Sequence, residues 1–239
     1  MTGCTAGSVE GLGGGGGGGG GGDASPASAV DAEPSGPDAG PPDYALSLST
    51  TPTELGLGES AEITVTLTSA RFAGAVVLSA AGAPPSWTVT FEPSNTANLI
   101  YDGTAEVTMR IQVPTNGEAA DTALEISANA APGLRTGSAP VNVANSLTVT
   151  IEGGTDAGAH AFPSSLPVRV GTEITFLNSD GTIHRIHSNG EDAGFEHQEG
   201  FMSQGETYSF TFTAGGEYAY YCHIHDPPSG VGSFLVSAP

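Results

Sequence analysis

Near the C-terminus, Tyr220-Tyr221-Cys222-His223-Ile224-His225 closes a strand-like run, and His184 stands upstream behind another. One thiolate and two imidazoles drawn from separate strands form the donor set of a mononuclear blue-copper centre. The soft thiolate holds copper in either oxidation state, and imidazole suits both. Donors fixed on a rigid scaffold keep their geometry through a redox cycle, which keeps the reorganisation barrier of a one-electron carrier small. The candidate donors are therefore Cys222, His184 and a histidine of the run that follows the cysteine. The Cys-x2-His spacing puts two of them on one loop between the last two strands. His187 and His223 have the wrong strand parity to join them and are expected to point away, although either is a candidate for a second metal. His160 and His197 read as loop residues.

The elements that must position these donors are β-strands. From Ser146 on, Leu147, Val149 and Ile151 alternate with threonines, and Leu166, Val168 and Val170 form a second alternating run. Gly171 then turns the chain into Glu173–Phe176, and Asn178-Ser179-Asp180-Gly181 is a strong turn. Thr182–Ser188, Thr207–Thr213, Tyr218–Cys222 and Ser233–Val236 complete seven or eight strands. That number in under a hundred residues implies a compact β-sandwich or Greek-key barrel.

A second all-β segment precedes it. Ala105, Val107, Met109, Ile111 and Val113 alternate with polar residues, as do Ile63, Val65 and Leu67. Ala45–Ser49, Ala75–Ala80, Trp87–Phe91, Leu124–Ala128 and Val141–Ala144 are further strands. Some seven strands over about a hundred residues, separated by Gly, Pro, Asn and Ser turns, predict an immunoglobulin-like sandwich. This segment has no histidine or cysteine, and its carboxylates are scattered, so it reads as a spacer or docking module. Its runs Tyr44–Ser49, Gly58–Val65 and Phe91-Glu92-Pro93-Ser94 resemble bacterial Ig-like repeats.

The first 42 residues contain the unbroken run Gly13–Gly22 and little besides Ala, Ser, Pro, Gly and Asp. Such a stretch has no apolar surface to offset its ordering entropy and is expected to be a disordered tether. The organisation is then a leader and tether over 1–42, an Ig-like sandwich over 43–145 and a second sandwich over 146–239. Five Lys+Arg residues stand against 26 acidic ones, for a net charge of -21. Nucleic-acid binding is excluded, because it requires neutralising phosphates with Lys and Arg. No run of 18 apolar residues exists to span a membrane. Cys4 and Cys222, one in the leader and one after a strand, do not read as a structural disulfide.

Residues Phe162 to Val236 resemble the cupredoxins of the plastocyanin and amicyanin type. The resemblance rests on Phe162-Pro163, Leu166–Gly171, Phe176–Asp180 ahead of His184, Phe201-Met202, Gly205–Phe210 and Gly216–Cys222. It implies a cupredoxin Greek-key sandwich, one copper ion, and ligation by His184, Cys222 and His225. One feature departs from it. Where the family carries an axial Met, separated from the downstream histidine by four residues, this chain has Gly230, while the family's trailing glycine keeps its place at Gly232. A water or backbone oxygen in the axial place favours the oxidised ion, and an empty place favours the reduced ion. Met202 is another candidate donor, but it matches a loop position that is not a ligand in the family.

Met1-Thr2-Gly3-Cys4 resembles the end of a bacterial lipoprotein signal, which implies an exported, periplasmic or cell-surface protein held through a lipidated Cys4. The expected function is copper binding and electron transfer with a redox protein, basic by complementarity to the acidic chain. Two readings compete with it. One is a metal-free structural or adhesive module, supported by the missing Met. The other is an enzyme with an open copper position at Gly230. A trinuclear oxidase cluster is set aside, since His223 and His225 form a single His-x-His pair. A closed zinc site needs four firm ligands, and three are in place.

Overall fold

The structure is a computed structural model describing residues 40–49, 53–153, 162–188, 195, 198–224 and 231–238. The leader with Cys4, and His160, His197, His225 and Gly230, lie outside the described residues. Pro41–Pro239 belong to one compact unit. Every regular element among the described residues is a strand.

The first nine strands are β1 (Asp43–Leu48), β2 (Thr53–Leu55), β3 (Ser60–Ala70), β4 (Gly74–Ala81), β5 (Thr88–Glu92), β6 (Thr96–Leu99), β7 (Thr104–Gln112), β8 (Ala120–Ala130) and β9 (Gly133–Val143). They form a four-stranded sheet in the order β1-β3-β7-β5 and a five-stranded sheet in the order β2-β9-β8-β4-β6. The alternation read in the sequence sets the register. Ile63 lies opposite Met109 and Val65 opposite Val107, all four are buried, and the intervening threonines and charged residues face outward. Tyr44 is buried as well, and its hydroxyl reaches the carbonyls of Ala128 and Gly133, each at 2.6 Å. Strands β2 and β6 had no counterpart in the expected set. At three and four residues, they are too short to show a period of two.

Ala144-Asn145 separates this pair of sheets from the next. The remaining strands are β10 (Ser146–Ile151), β11 (Leu166–Arg169), β12 (Glu173–Asn178), β13 (Ile186–Ser188), β14 (Thr207–Thr211), β15 (Gly216–Cys222) and β16 (Val231–Ser237). One sheet runs β10-β12-β14 and the other β11-β16-β15-β13. β10 pairs with β12 in parallel, and β11 with β16. Between the sheets lies an aromatic core. Phe176 meets Tyr220 edge-on at 5.1 Å between centroids, and Tyr220 stacks on Phe234 at 5.0 Å. All three rings are fully buried, which makes the floor beneath the Cys222 end of β15 stiff.

One strand is shorter than its pattern. Thr182–Ser188 reads as continuous alternation, yet β13 begins only at Ile186, and His184 makes an isolated bridge to Met202. The reason is local. The Asp180 side chain takes the amide and hydroxyl of Thr182, each at 2.7 Å, so this stretch closes as a turn before it can pair as a strand.

Candidate metal centre

His184 and Cys222, 38 residues apart in sequence, are brought together with no solvent exposure at either. Cys222 ends β15 and lies opposite Ile186 of β13 in antiparallel register. The next residue continues the link, with the His223 amide donating to the Arg185 carbonyl at 2.8 Å. His184 is fixed from a different direction. Its amide donates to the Met202 carbonyl at 3.0 Å, and the Met202 amide returns a bond to the His184 carbonyl at 2.8 Å. Asn178, buried at the end of β12, ties this bridge to the turn before it. Its Nδ2 donates to the carbonyls of Thr182 at 2.7 Å and Met202 at 2.9 Å.

The side chains then meet. His184 Nδ1 lies 3.6 Å from Cys222 Sγ. On the other side of the ring, Nε2 lies 2.9 Å from Asp180 Oδ2. A carboxylate can only accept, so Nε2 carries the proton and Nδ1 presents its lone pair to the sulfur. Two donors 3.6 Å apart suit a single ion whose bonds to nitrogen and sulfur are about 2.0–2.3 Å long. The pair therefore fits a soft transition metal, which replaces the thiol proton between them.

Burial and hydrogen bonding set the charges of these groups. Burial of Asp180 opposes its charge, but the Thr182 hydroxyl and amide and the His184 ring outweigh it and bring the carboxyl down to about 2. Burial likewise disfavours the His184 imidazolium, yet hydrogen bonds to Cys222 and Asp180 leave its pKa above the ordinary value. Burial alone pushes the Tyr220 hydroxyl far upward. The hydroxyl is neutral and lies 3.2 Å from the Pro163 carbonyl.

Of the expected ligands, His184 and Cys222 are thus side by side, and His225 lies outside the described residues. His187 and His223 face away, as their parity implies. Their rings lie 4.5 Å apart, and His187 also touches Tyr221 at 5.5 Å. Among the described residues, no third His, Cys, Asp or Glu joins them in a group that could hold a metal ion. Met202 is buried and joined to His184 through the backbone. Asp180 and Thr182 were not among the candidates. The sequence shows Asp180 only as part of an Asn-Ser-Asp-Gly turn, and the one clue is its place four residues before the histidine.

Several apolar side chains close to these residues in sequence are exposed. Ile183, Phe201, Ile224 and Val231 are 47%, 56%, 38% and 42% exposed. Ile183 precedes His184, Phe201 precedes Met202 and Ile224 follows Cys222 by two, whereas Val231 pairs with Tyr221, on the face that carries His187. The Arg185 guanidinium lies over the Phe201 ring at 5.8 Å.

The comparisons with known proteins bear on the same region. The family model for copper binding proteins of the plastocyanin/azurin family matches residues 149–236. Chloroplastic plastocyanin from Chlamydomonas reinhardtii is 33% identical over 113 residues, covering 44% of this chain and 77% of the relative. The chain belongs to the plastocyanin/azurin family of copper binding proteins. Plastocyanin from Scenedesmus fuscus is 31% identical over 96 residues, covering 37% of this chain and 98% of that one. Among solved structures, a purple cupredoxin from Nitrosopumilus maritimus is 30% identical with a TM-score of 0.32, covering 38% of this chain and 98% of that one. Copper is accordingly the metal of this cupredoxin domain. A second family model, the NPCBM-associated NEW3 domain of alpha-galactosidase, matches residues 53–131, so a β-sandwich domain of that kind precedes the cupredoxin.

Proposed function

We propose that His184, Cys222 and His225 hold one copper ion and that the cupredoxin domain passes single electrons outside the cytoplasm. The observation that supports this most strongly is the 3.6 Å approach of His184 Nδ1 to Cys222 Sγ in a site closed to solvent. When bound, copper supplies a one-electron couple. The chain supplies everything else: Cys222 gives up its proton and presents a thiolate, and His184 presents an unprotonated nitrogen. His225 adds the third strong donor, three residues after the cysteine. The packed Phe176, Tyr220 and Phe234 rings resist rearrangement and exclude water from below. Gly230, where the family carries Met, has no side chain to donate, so His184, Cys222 and His225 would be the strong donors.

The exposed Ile183, Phe201 and Ile224, next to or two positions from site residues in sequence, would offer a redox partner an apolar surface. The acidity of the chain favours a basic partner by electrostatic steering. In this reading the organisation is 1–42 as leader and tether, 43–145 as an Ig-like spacer and 146–239 as the cupredoxin. Cys4 is the point of lipid attachment at the cell envelope.

Copper titration of the full chain, followed by paramagnetic resonance and by reduction with a one-electron donor, tests the proposal. The expected result is one Cu(II) per chain that is fully and reversibly reduced, with His184→Ala and His225→Ala each losing tight binding. A folded chain that takes up no copper would instead support a metal-free scaffold. Metabolic labelling with a fatty acid tests the anchor. Label on the wild type but not on Cys4→Ser is expected, and an unlabelled wild type rules it out.

A further inference from the structure

We infer that Asp180 is a positioning residue for the metal: it sets the His184 tautomer and places a fixed negative charge one imidazole ring away from the copper. The inference rests on the proposal that His184 and Cys222 are ligands. Its basis is the division of labour between the two carboxylate oxygens. Oδ1 accepts the amide and the hydroxyl of Thr182, each at 2.7 Å, and Oδ2 faces His184 Nε2 at 2.9 Å. The Asp180 amide in turn donates to Asn178 Oδ1 at 3.0 Å. The carboxylate is therefore oriented by the turn itself, before any metal arrives. Its side chain is 9% exposed and that of His184 is 0% exposed, so water screens little of the interaction.

Two consequences follow. With Nε2 tied as a donor, Nδ1 has to be the ligating nitrogen, and the ring cannot turn it away from Cys222 without breaking a bond between buried groups. A carboxylate behind a metal-bound imidazole also makes that imidazole a stronger donor and adds a negative charge near the ion, both of which favour Cu(II) over Cu(I). A backbone carbonyl in the same place fixes the tautomer but carries no net charge. The residue type thus predicts an electronic effect as well as a geometric one. Asparagine cannot replace it without loss. Its single oxygen serves either Thr182 or His184, and its amide then meets a donor on the other side.

The full-length chain loaded with copper provides the test, comparing the wild type with Asp180→Asn and with Thr182→Ala, which keeps the charge and removes one hydroxyl. Visible absorption, Cu(II) affinity by competition with a chelator, and the midpoint potential are measured on each. Asp180→Asn is expected to lose at least tenfold in Cu(II) affinity. It should also shift the Cu(II)/Cu(I) preference at least tenfold toward Cu(I), a rise of about 59 mV. Thr182→Ala also removes the hydroxyl that lies 3.3 Å from His184 Nε2, but it keeps the carboxylate charge and is expected to shift the preference less than Asp180→Asn does.

Unchanged affinity and potential in a blue Asp180→Asn protein would overturn the inference while leaving copper ligation intact. A wild type without the thiolate-to-copper band defeats the ligand proposal itself. Should Asp180→Asn fail to fold, nitrogen-15 correlation spectra of the wild-type Cu(I) form decide. A proton on His184 Nε2 supports the inference, and a proton on Nδ1 overturns it.

Discussion

Gly232 passes so close to the ring of Tyr220 that a β-carbon on the glycine would overlap both the ring and its hydroxyl, and would come within 2.7 Å of the Pro163 carbonyl. The two residues are directly paired across β15 and β16. Tyr220 is fully buried and lies two positions before Cys222 on the same face of the strand. The strand that presents the thiolate is thus seated by an aromatic ring for which only a glycine makes room. Gly232→Ala is expected to cost about 1–3 kcal/mol by overpacking. A lowered midpoint in urea denaturation checks it. An unchanged midpoint would mean that β16 shifts freely.

Tyr44 provides the equivalent anchor in the first sandwich. Tyr44→Phe keeps the ring and removes the hydroxyl that lies 2.6 Å from each of the Ala128 and Gly133 carbonyls. A loss of about 1–2 kcal/mol is expected in chemical denaturation, with the copper spectrum unaltered because the residue lies in the other sandwich.

The Asp180–His184 pair makes the metal-free protein sensitive to pH on both sides. Asp180 has its pKa lowered from 3.8 to about 2, so its contribution is full above the unfolded value and is lost as pH falls through about 2. That loss is on the order of 2 kcal/mol. His184 has its pKa raised above 6.5, so its contribution is full below that value and is lost as pH rises through the higher folded one. Denaturation midpoints of the metal-free chain should therefore be highest between about pH 4 and 6.5 as far as this pair is concerned. In Asp180→Asn the acid limb attributable to the pair should disappear.

Charge predicts the kinetics of exchange. With 26 acidic residues against five basic ones, electron transfer to a cationic redox protein is expected to slow as salt rises, and transfer to an anionic one to quicken. Stopped-flow rates over a salt series check this. Rates independent of salt for both partners would remove electrostatic steering from the account.

How much of this was legible in the sequence depends on the range of the interaction concerned. The two-residue period of Ile63–Leu67 and Ala105–Val113 is written locally, and both runs are strands with the predicted faces buried. Cys222 and His184 were legible by residue type and by the strands around them, and the structure places them in contact. The bridge between His184 and Met202 was not legible, because it depends on a backbone pairing across a loop with no periodic signal. Asp180 was hidden for a related reason. Asp-Gly reads as turn chemistry whether or not the carboxylate also serves a ring, and only the fold turns its second oxygen toward His184. The close approach of Gly232 to Tyr220 gives the trailing glycine of the motif a packing reason that residue order alone does not supply.

The central claim is that Cys222 and His184 share one copper ion. Its most direct test is the visible spectrum of the full chain titrated with Cu(II), beside that of Cys222→Ser. An intense thiolate-to-copper charge-transfer band is expected to saturate at one copper per chain in the wild type and to be absent from the variant. A folded wild type that stays colourless at saturating copper, or a band that survives in Cys222→Ser, would contradict it.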